Sequence, residues 1–170
     1  MPDLKLLVLS ARDVRELLPY GECADLVAGA LAALARGQVY QPLRTVVQPP
    51  APEGSPPAGL MALMPSIRSG PIRSDPDAAY SLKAICIFPG NPALGKDAHQ
   101  GVVLLSSPDT GEPQALINAS ALTGIRTAAA SVVATRLLAR ADTSELAIIG
   151  TGVQARAHAI ALAQDYAARG

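Results

Sequence analysis

Residues 146–155 read Leu146-Ala-Ile-Ile-Gly150-Thr-Gly152-Val-Gln-Ala155. The short apolar run from Glu145 to Ile149 predicts a buried strand, and the residues after Gly152 predict a helix running to the end of the chain. Between them stands GxGxxA. The first glycine permits a tight turn, and the second lets the backbone approach a pyrophosphate. Ala155 lets the helix pack closely on the strand, and the helix N-terminus faces the anion. The alternative is an ordinary strand-to-helix turn that uses its glycines for geometry alone. The context on both sides favours the dinucleotide reading. The acid that reads the ribose lies about 20 residues beyond such a turn, past Gly170, so NAD and NADP are not separated.

Upstream, Ala119 to Arg140 is Ala-rich and reads as a helix. A helix, a buried strand, a glycine turn and a helix are the start of a parallel α/β layer. The preceding part has a different character. Ser10 and Asp13 form a capping box with an acid in place of the usual Glu, opening a short helix that stops at Pro19. A second helix, about Glu22 to Arg36, carries Leu26, Val27, Ala30, Leu31 and Leu34 at helical spacing, and Gly37 follows as its C-terminal residue. The period then changes to two. Val39, Leu43, Thr45 and Val47 lie on one side of a strand that Pro42 marks as an edge or irregular one. Gln48 to Gly59 holds five prolines and reads as an excursion. Leu60 to Met64 is a short strand, Arg68 to Asp77 a turn and Tyr80 to Phe88 a strand ended by Pro89-Gly90-Asn91-Pro92. Gly101 to Ser106 and Gln114 to Asn118 flank Pro108-Asp109-Thr110-Gly111 as a hairpin. The expected fold is an α+β N-terminal domain with a mixed or antiparallel sheet, followed by the first strand and helix of a Rossmann-type α/β domain. The expected divisions are 1–122, a connecting helix 123–142, and 143–170.

Composition bounds the function. The 170 residues carry 14 basic and 14 acidic side chains for zero net charge, with 49% apolar and 16% charged residues. That excludes disorder and argues against a nucleic-acid binder, which needs a basic footprint. Four Tyr, one Phe and no Trp leave no base-stacking platform. Cys23 and Cys86 stand alone without CxxC spacing, and with His99 and His158 they make no metal-ligand cluster, so no metal is expected. Met1 to Leu9 has no signal-peptide pattern, and nowhere do about 18 apolar residues run together. The expectation is a soluble cytoplasmic protein without a membrane span.

Three cations stand out. With Thr123 as N-cap of the alanine-rich helix, Arg126 falls in the first turn, where it opposes the helix dipole unless an anion sits there. With Ser120 as the cap, Arg126 is simply solvated on a mid-helix face. Lys83 shares a strand face with Ile85 and Ile87, and is either near the strand's exposed start or aimed into a cavity. Surface exposure is the commoner case. Arg44, between Leu43 and Val46, reads similarly.

Together, Pro42-Leu-Arg44-Thr, Leu82-Lys83, Phe88-Pro-Gly-Asn91, Leu122-Thr-Gly-Ile-Arg126-Thr127-Ala-Ala-Ala and Ile149-Gly-Thr-Gly-Val-Gln154-Ala155-Arg156-Ala-His158 resemble the ornithine cyclodeaminase and mu-crystallin family. The resemblance spans about Leu9 to Leu162. It implies NAD(P)-dependent chemistry at the α-carbon of an amino or imino acid. It implies that Arg44, Lys83 and Arg126 hold the substrate carboxylate, with a possible catalytic role for Lys83. It assigns cofactor binding to Gly150, Thr151, Gly152, Val153 and Gln154, together with Arg126, Thr127 and His99. Lys96-Asp97-Ala98-His99 departs from the Pro-Ser or Pro-Thr pair often found there, so a hydroxyl contact is lost at Ala98. Family members are about twice this length, and their catalytic Asp is expected outside this chain.

The resemblance gives residues 1–122 a substrate-binding and dimerising role, with a homodimer at full length. The reaction it implies is L-ornithine to L-proline plus ammonia by transient hydride transfer. The rivals are a ketimine or 1-pyrroline-2-carboxylate reductase, an alanine dehydrogenase and, in another class, a non-catalytic binder of small carboxylates or of the cofactor. Residues 1–170 by themselves are expected to be inactive.

Overall fold

The computed structural model describes residues 5–51, 54, 58–68 and 78–169. Most of the proline-rich excursion at 48–59 is thus described only in part, and the turn expected from Arg68 to Asp77 lies, after Arg68, outside the described residues. The chain begins with a strand that the sequence reading did not foresee, β1 (Leu7–Leu9), followed by α1 (Ala11–Leu17) and α2 (Tyr20–Ala35). The capping box forms. The Ser10 side chain accepts from the Asp13 N–H, and the Asp13 carboxylate accepts from the Ser10 N–H at 2.8 Å.

The strands follow as β2 (Val39–Tyr40), β3 (Thr45–Val47), β4 (Leu60–Arg68), β5 (Ala79–Ile87), β6 (His99–Ser106) and β7 (Pro113–Asn118). They build one sheet in the order β1-β7-β6-β5-β4-β2, with β3 also on β4. Every pairing is antiparallel except β1 with β7, which is parallel. The sheet is therefore mixed, as expected.

The single strand expected over Val39 to Val47 is two. Tyr40 pairs with Ile67 and Thr45 with Leu63, so the edge strand advances one residue more than its partner. The extra residue bulges out around Pro42, which has no N–H for the ladder. Leu43, expected to share a face with Val39, is instead 95% exposed.

Two helices complete the chain, α3 (Ala119–Leu138) and α4 (Val153–Arg169). The cap of α3 is neither Thr123 nor Ser120. It is Asn118, whose side chain accepts from the Ala121 N–H at 2.9 Å. A helix start is fixed by whichever side chain reaches an orphan N–H, and Asn118 is the last strand residue, so β7 passes into α3 without a loop. Glu145 to Ile149, expected as a strand, has no ladder, and Ile149 is fully exposed. A strand exists through its neighbours, and none of the described strands lies beside it.

The helices lie on one face of the sheet. Ala119 packs with Ala62 and Ile85, and Val103 and Met64 lie against them. A larger core joins α1, α2, α3 and α4 through Cys23, Ala24, Ala128, Ala129, Val132 and Ala161. Alanines dominate this seam because helix axes can approach closely only where side chains are small. Across it runs an ion-pair chain. Arg136 Nε lies 2.7 Å from Asp165 Oδ1, and its Nη1 lies 2.8 Å from Asp25. Arg169 Nη2 stands 2.9 Å from the other Asp165 oxygen, without hydrogen-bond alignment. No single helix among the described residues is long and apolar enough to cross a membrane.

Candidate functional site

Lys83 lies in mid-strand, opposite Met64 on one side and Val103 on the other. Its neighbours on the same face, Ile85 and Ile87, pack under α3, so the lysine does not sit at an exposed strand start. It is half-buried. Its Nζ donates to the Thr123 hydroxyl oxygen on α3 at 2.6 Å.

Continuing the β3–β4 register by one residue sets Arg44 opposite Met64, and hence in one row with Lys83. Two strand spacings separate them, about 10 Å between backbones. Arg126 is one helical turn beyond Thr123 and so projects from the same side of α3. It stands mid-helix and exposed, the second of the two placements the sequence left open, though with Asn118 and not Ser120 as the cap.

Burial, then Arg126, then Arg44 push the Lys83 ammonium down from its ordinary value of 10.5 to about 8. Charge felt from both guanidinium groups means that the three cations share one neighbourhood. Among the described residues none of the three has an acidic partner. Such a cluster can accept an anion that the described residues do not provide.

The glycine turn stands at the start of α4. Gly150 has φ +113, a conformation that favours glycine, and a side chain there would meet open space. Gly150 to Gly152 form an irregular turn, and Val153 and Gln154 begin α4. The first N–H groups of that helix have no intrahelical acceptor and point outward from its start.

Ser131 pairs with His158 at 2.9 Å and Arg136 with Asp165 at 2.7 Å, so α3 and α4 run in the same direction. The turn therefore lies beside the first half of α3, where Thr123, Arg126 and Thr127 stand. His158 Nδ1–H donates to the Gln154 carbonyl at 2.7 Å, which leaves Nε2 to accept from the Ser131 hydroxyl. The Thr127 hydroxyl oxygen is buried without a hydrogen-bond partner among the described residues. His99 opens β6, exposed, and its carbonyl accepts from the Ser120 hydroxyl at the start of α3.

Two cavities among the described residues border the helices and the β5–β6 end of the sheet. One, of about 700 Å³, lies between the α1–α2 corner, α3 and α4, with Arg15, Tyr20 and Arg156 on its wall. The other, of about 610 Å³, is lined by Cys86, Phe88, Asn91, Lys96 and Gln100. Neither is walled by Arg44, Lys83 or Arg126. Among the described residues no group of three or more His, Cys, Asp or Glu could hold a metal ion. In the sequence Thr123 stood out only as one of two candidate caps, with Ser120, and not as the partner of Lys83. The signal was its spacing of three and four residues from Arg126 and Thr127.

The profile of the ornithine cyclodeaminase/mu-crystallin family matches residues 5–167. The Δ(1)-pyrroline-2-carboxylate reductase of Bacillus cereus is 39% identical over 151 residues, 89% of this chain and 43% of that protein. Ketimine reductase mu-crystallin of Mus musculus is 34% identical over 156 residues, 88% of this chain and 46% of its own. Among solved structures, Δ(1)-pyrroline-2-carboxylate reductase of Thermococcus litoralis in complex with NADH and L-proline superposes with TM-score 0.80 at 34% identity. It covers 93% of this chain and 46% of that one. A lysine cyclodeaminase studied for recognition of L-lysine, L-ornithine and L-2,4-diamino butyric acid gives TM-score 0.73 at 34% identity, covering 94% of this chain and 46% of its own. The chain spans a little under half the length of the relatives it matches.

Proposed function

The chain belongs to the ornithine cyclodeaminase/mu-crystallin family, and from that premise we propose that it carries the carboxylate-binding part of an NAD(P)-dependent reductase of cyclic imino acids. The substrate class is that of 1-pyrroline-2-carboxylate. The observation that carries this reading is Lys83, half-buried between the charges of Arg126 and Arg44, with no acid beside any of the three among the described residues. A small carboxylate balances such a cluster, and the reductase relatives supply the kind of molecule that brings one.

The residues also fit a dinucleotide. Among the described residues the buried Thr127 hydroxyl lacks a partner, the Gly150 backbone is bare, and the start of α4 offers free N–H groups to a pyrophosphate. Gly150, Thr151, Gly152, Val153 and Gln154 would hold the pyrophosphate, with Arg126, Thr127 and His99 toward the rest of the cofactor. Bound there, a nicotinamide supplies the hydride. Arg44, Lys83 and Arg126 fix the carboxylate and with it the face that the imine carbon presents. Lys83 is the one cation of the three able to release a proton near neutral pH, which suits it to protonation of the imine nitrogen.

The test is NADH or NADPH oxidation by the full-length protein with 1-pyrroline-2-carboxylate. Stoichiometric consumption supports the reading, and none at saturating imine rejects it. The second reading, redox-neutral cyclodeamination of L-ornithine to L-proline, draws on the lysine cyclodeaminase likeness. It requires ammonia release from L-ornithine with catalytic NAD⁺ and no net change in NADH.

A further inference from the structure

Lysine is a poor anchor by itself, because its four-carbon stem leaves the ammonium free to wander. In this chain the Lys83 ammonium is pinned from one side. Its Nζ lies 2.6 Å from the Thr123 hydroxyl oxygen, across the boundary between β5 and α3. Both ends of that contact are rigidly held. Lys83 lies inside a ladder paired on both sides. Thr123 is in the second turn of a helix capped by Asn118 and seated through Ala119 on Ala62 and Ile85. Thr123 is β-branched, so its χ1 is stiff, and a helical threonine can direct its own proton to the carbonyl four residues back. Its oxygen is then left to accept.

We propose that Thr123 is a positioning residue, whose hydroxyl takes one of the three Lys83 N–H groups and thereby aims the other two at the carboxylate site beside Arg126 and Arg44. The inference rests on the imino-acid reading above. A neutral acceptor suits this role for a chemical reason. An Asp or Glu at position 123 would orient the ammonium equally well but would cancel its charge and compete with the substrate. A hydroxyl orients without neutralising.

The experiment compares Thr123→Val, Thr123→Ala and Thr123→Ser in two readouts. One is the NMR titration of the labelled Lys83 side chain, which needs neither cofactor nor turnover. The other is steady-state kinetics of the full-length protein with 1-pyrroline-2-carboxylate. Removing an acceptor that favours the charged form lowers the lysine's midpoint, so Thr123→Val and Thr123→Ala should titrate about one pH unit below the wild type. Their KM should rise about tenfold with kcat within about twofold, as expected for loss of a charge-assisted hydrogen bond. Thr123→Ser should restore both. An unmoved Lys83 titration, or an unmoved KM, in a protein that reduces imino acids overturns the assignment of Thr123 alone. A shifted titration in a protein that binds no imino acid rejects the functional reading, and the substrate role of Thr123 with it.

Discussion

Lys83 illustrates how much a single side chain can depend on its setting. Its ammonium titrates near 8 in the folded chain against an ordinary value of 10.5, for reasons of burial first and of Arg126 and Arg44 second. Below about pH 8 the folded state bears the cost of a charge held among like charges. Between 8 and 10.5 that cost fades, as the folded state sheds its proton before the unfolded one does. Lys83→Met should therefore be more stable than the wild type at pH 7, with the difference closing by about pH 10.5, as read from urea midpoints at both pH values. The same substitution should raise KM for an imino acid about 10–100-fold, the cost of losing a hydrogen bond to a charged group. In the unsubstituted protein, substrate affinity should fall as pH rises through about 8. From the residues alone, a surface lysine is the commoner reading of Lys83. Strand alternation gives the face but not what covers it, and the covering residue, Thr123, is 40 positions away.

At the level of elements, local chemistry was legible and pairing was not. The Ser10–Asp13 box, the stop at Pro19 and the β6–β7 hairpin all follow from neighbours within a few residues. The break at Pro42 and the absence of a ladder at Glu145 to Ile149 depend on what lies alongside. One close approach is severe. Gly101 has φ +155, and a Cβ there would lie 2.1 Å from the Ala84 carbonyl oxygen and 2.8 Å from the Ile85 Cα. Gly101→Ala must force β5 and β6 apart, and should cost more than about 3 kcal/mol, seen as loss of the cooperative thermal transition. The ion-pair chain gives a graded contrast. The Asp165 side chain is 2% exposed and that of Asp25 is 74% exposed. Arg136→Met strips the buried carboxylate of its better-aligned partner and should cost about 3 kcal/mol. Asp25→Asn should cost less than about 1 kcal/mol. Equal effects in urea melts would show that the buried member is not the one that matters.

Across the whole molecule, the sheet has one face under helices and one without cover among the described residues. Leu63, Leu82, Ala84, Leu104 and Leu116 line the uncovered face half-buried at best, with Met61 and Val102 exposed. A contiguous apolar face of this kind suits an interaction surface, and a second copy of the chain is the partner that the homodimer implied by the family resemblance would bring. Sedimentation should show self-association that Val102→Lys with Met61→Lys abolishes while the fold survives. A wild-type chain that stays monomeric at high concentration would count against it. The mixed sheet and the run of elements were legible in the sequence because each element carries its own periodicity. Which face stays bare was not, because alternation says only that two faces differ.

The parallel pairing of β1 with β7 has a consequence in time. Leu7 to Leu9 are synthesised ahead of the rest of this sheet, and their partners Ala115 to Ile117 come about 110 residues later. At bacterial or eukaryotic elongation rates that is a wait of roughly 5–20 s. The antiparallel strands between them can zip as successive hairpins, but the N-terminal strand must remain outside the nascent sheet until nearly everything else of that sheet has emerged from the ribosome. The edge it finally closes is the last to form.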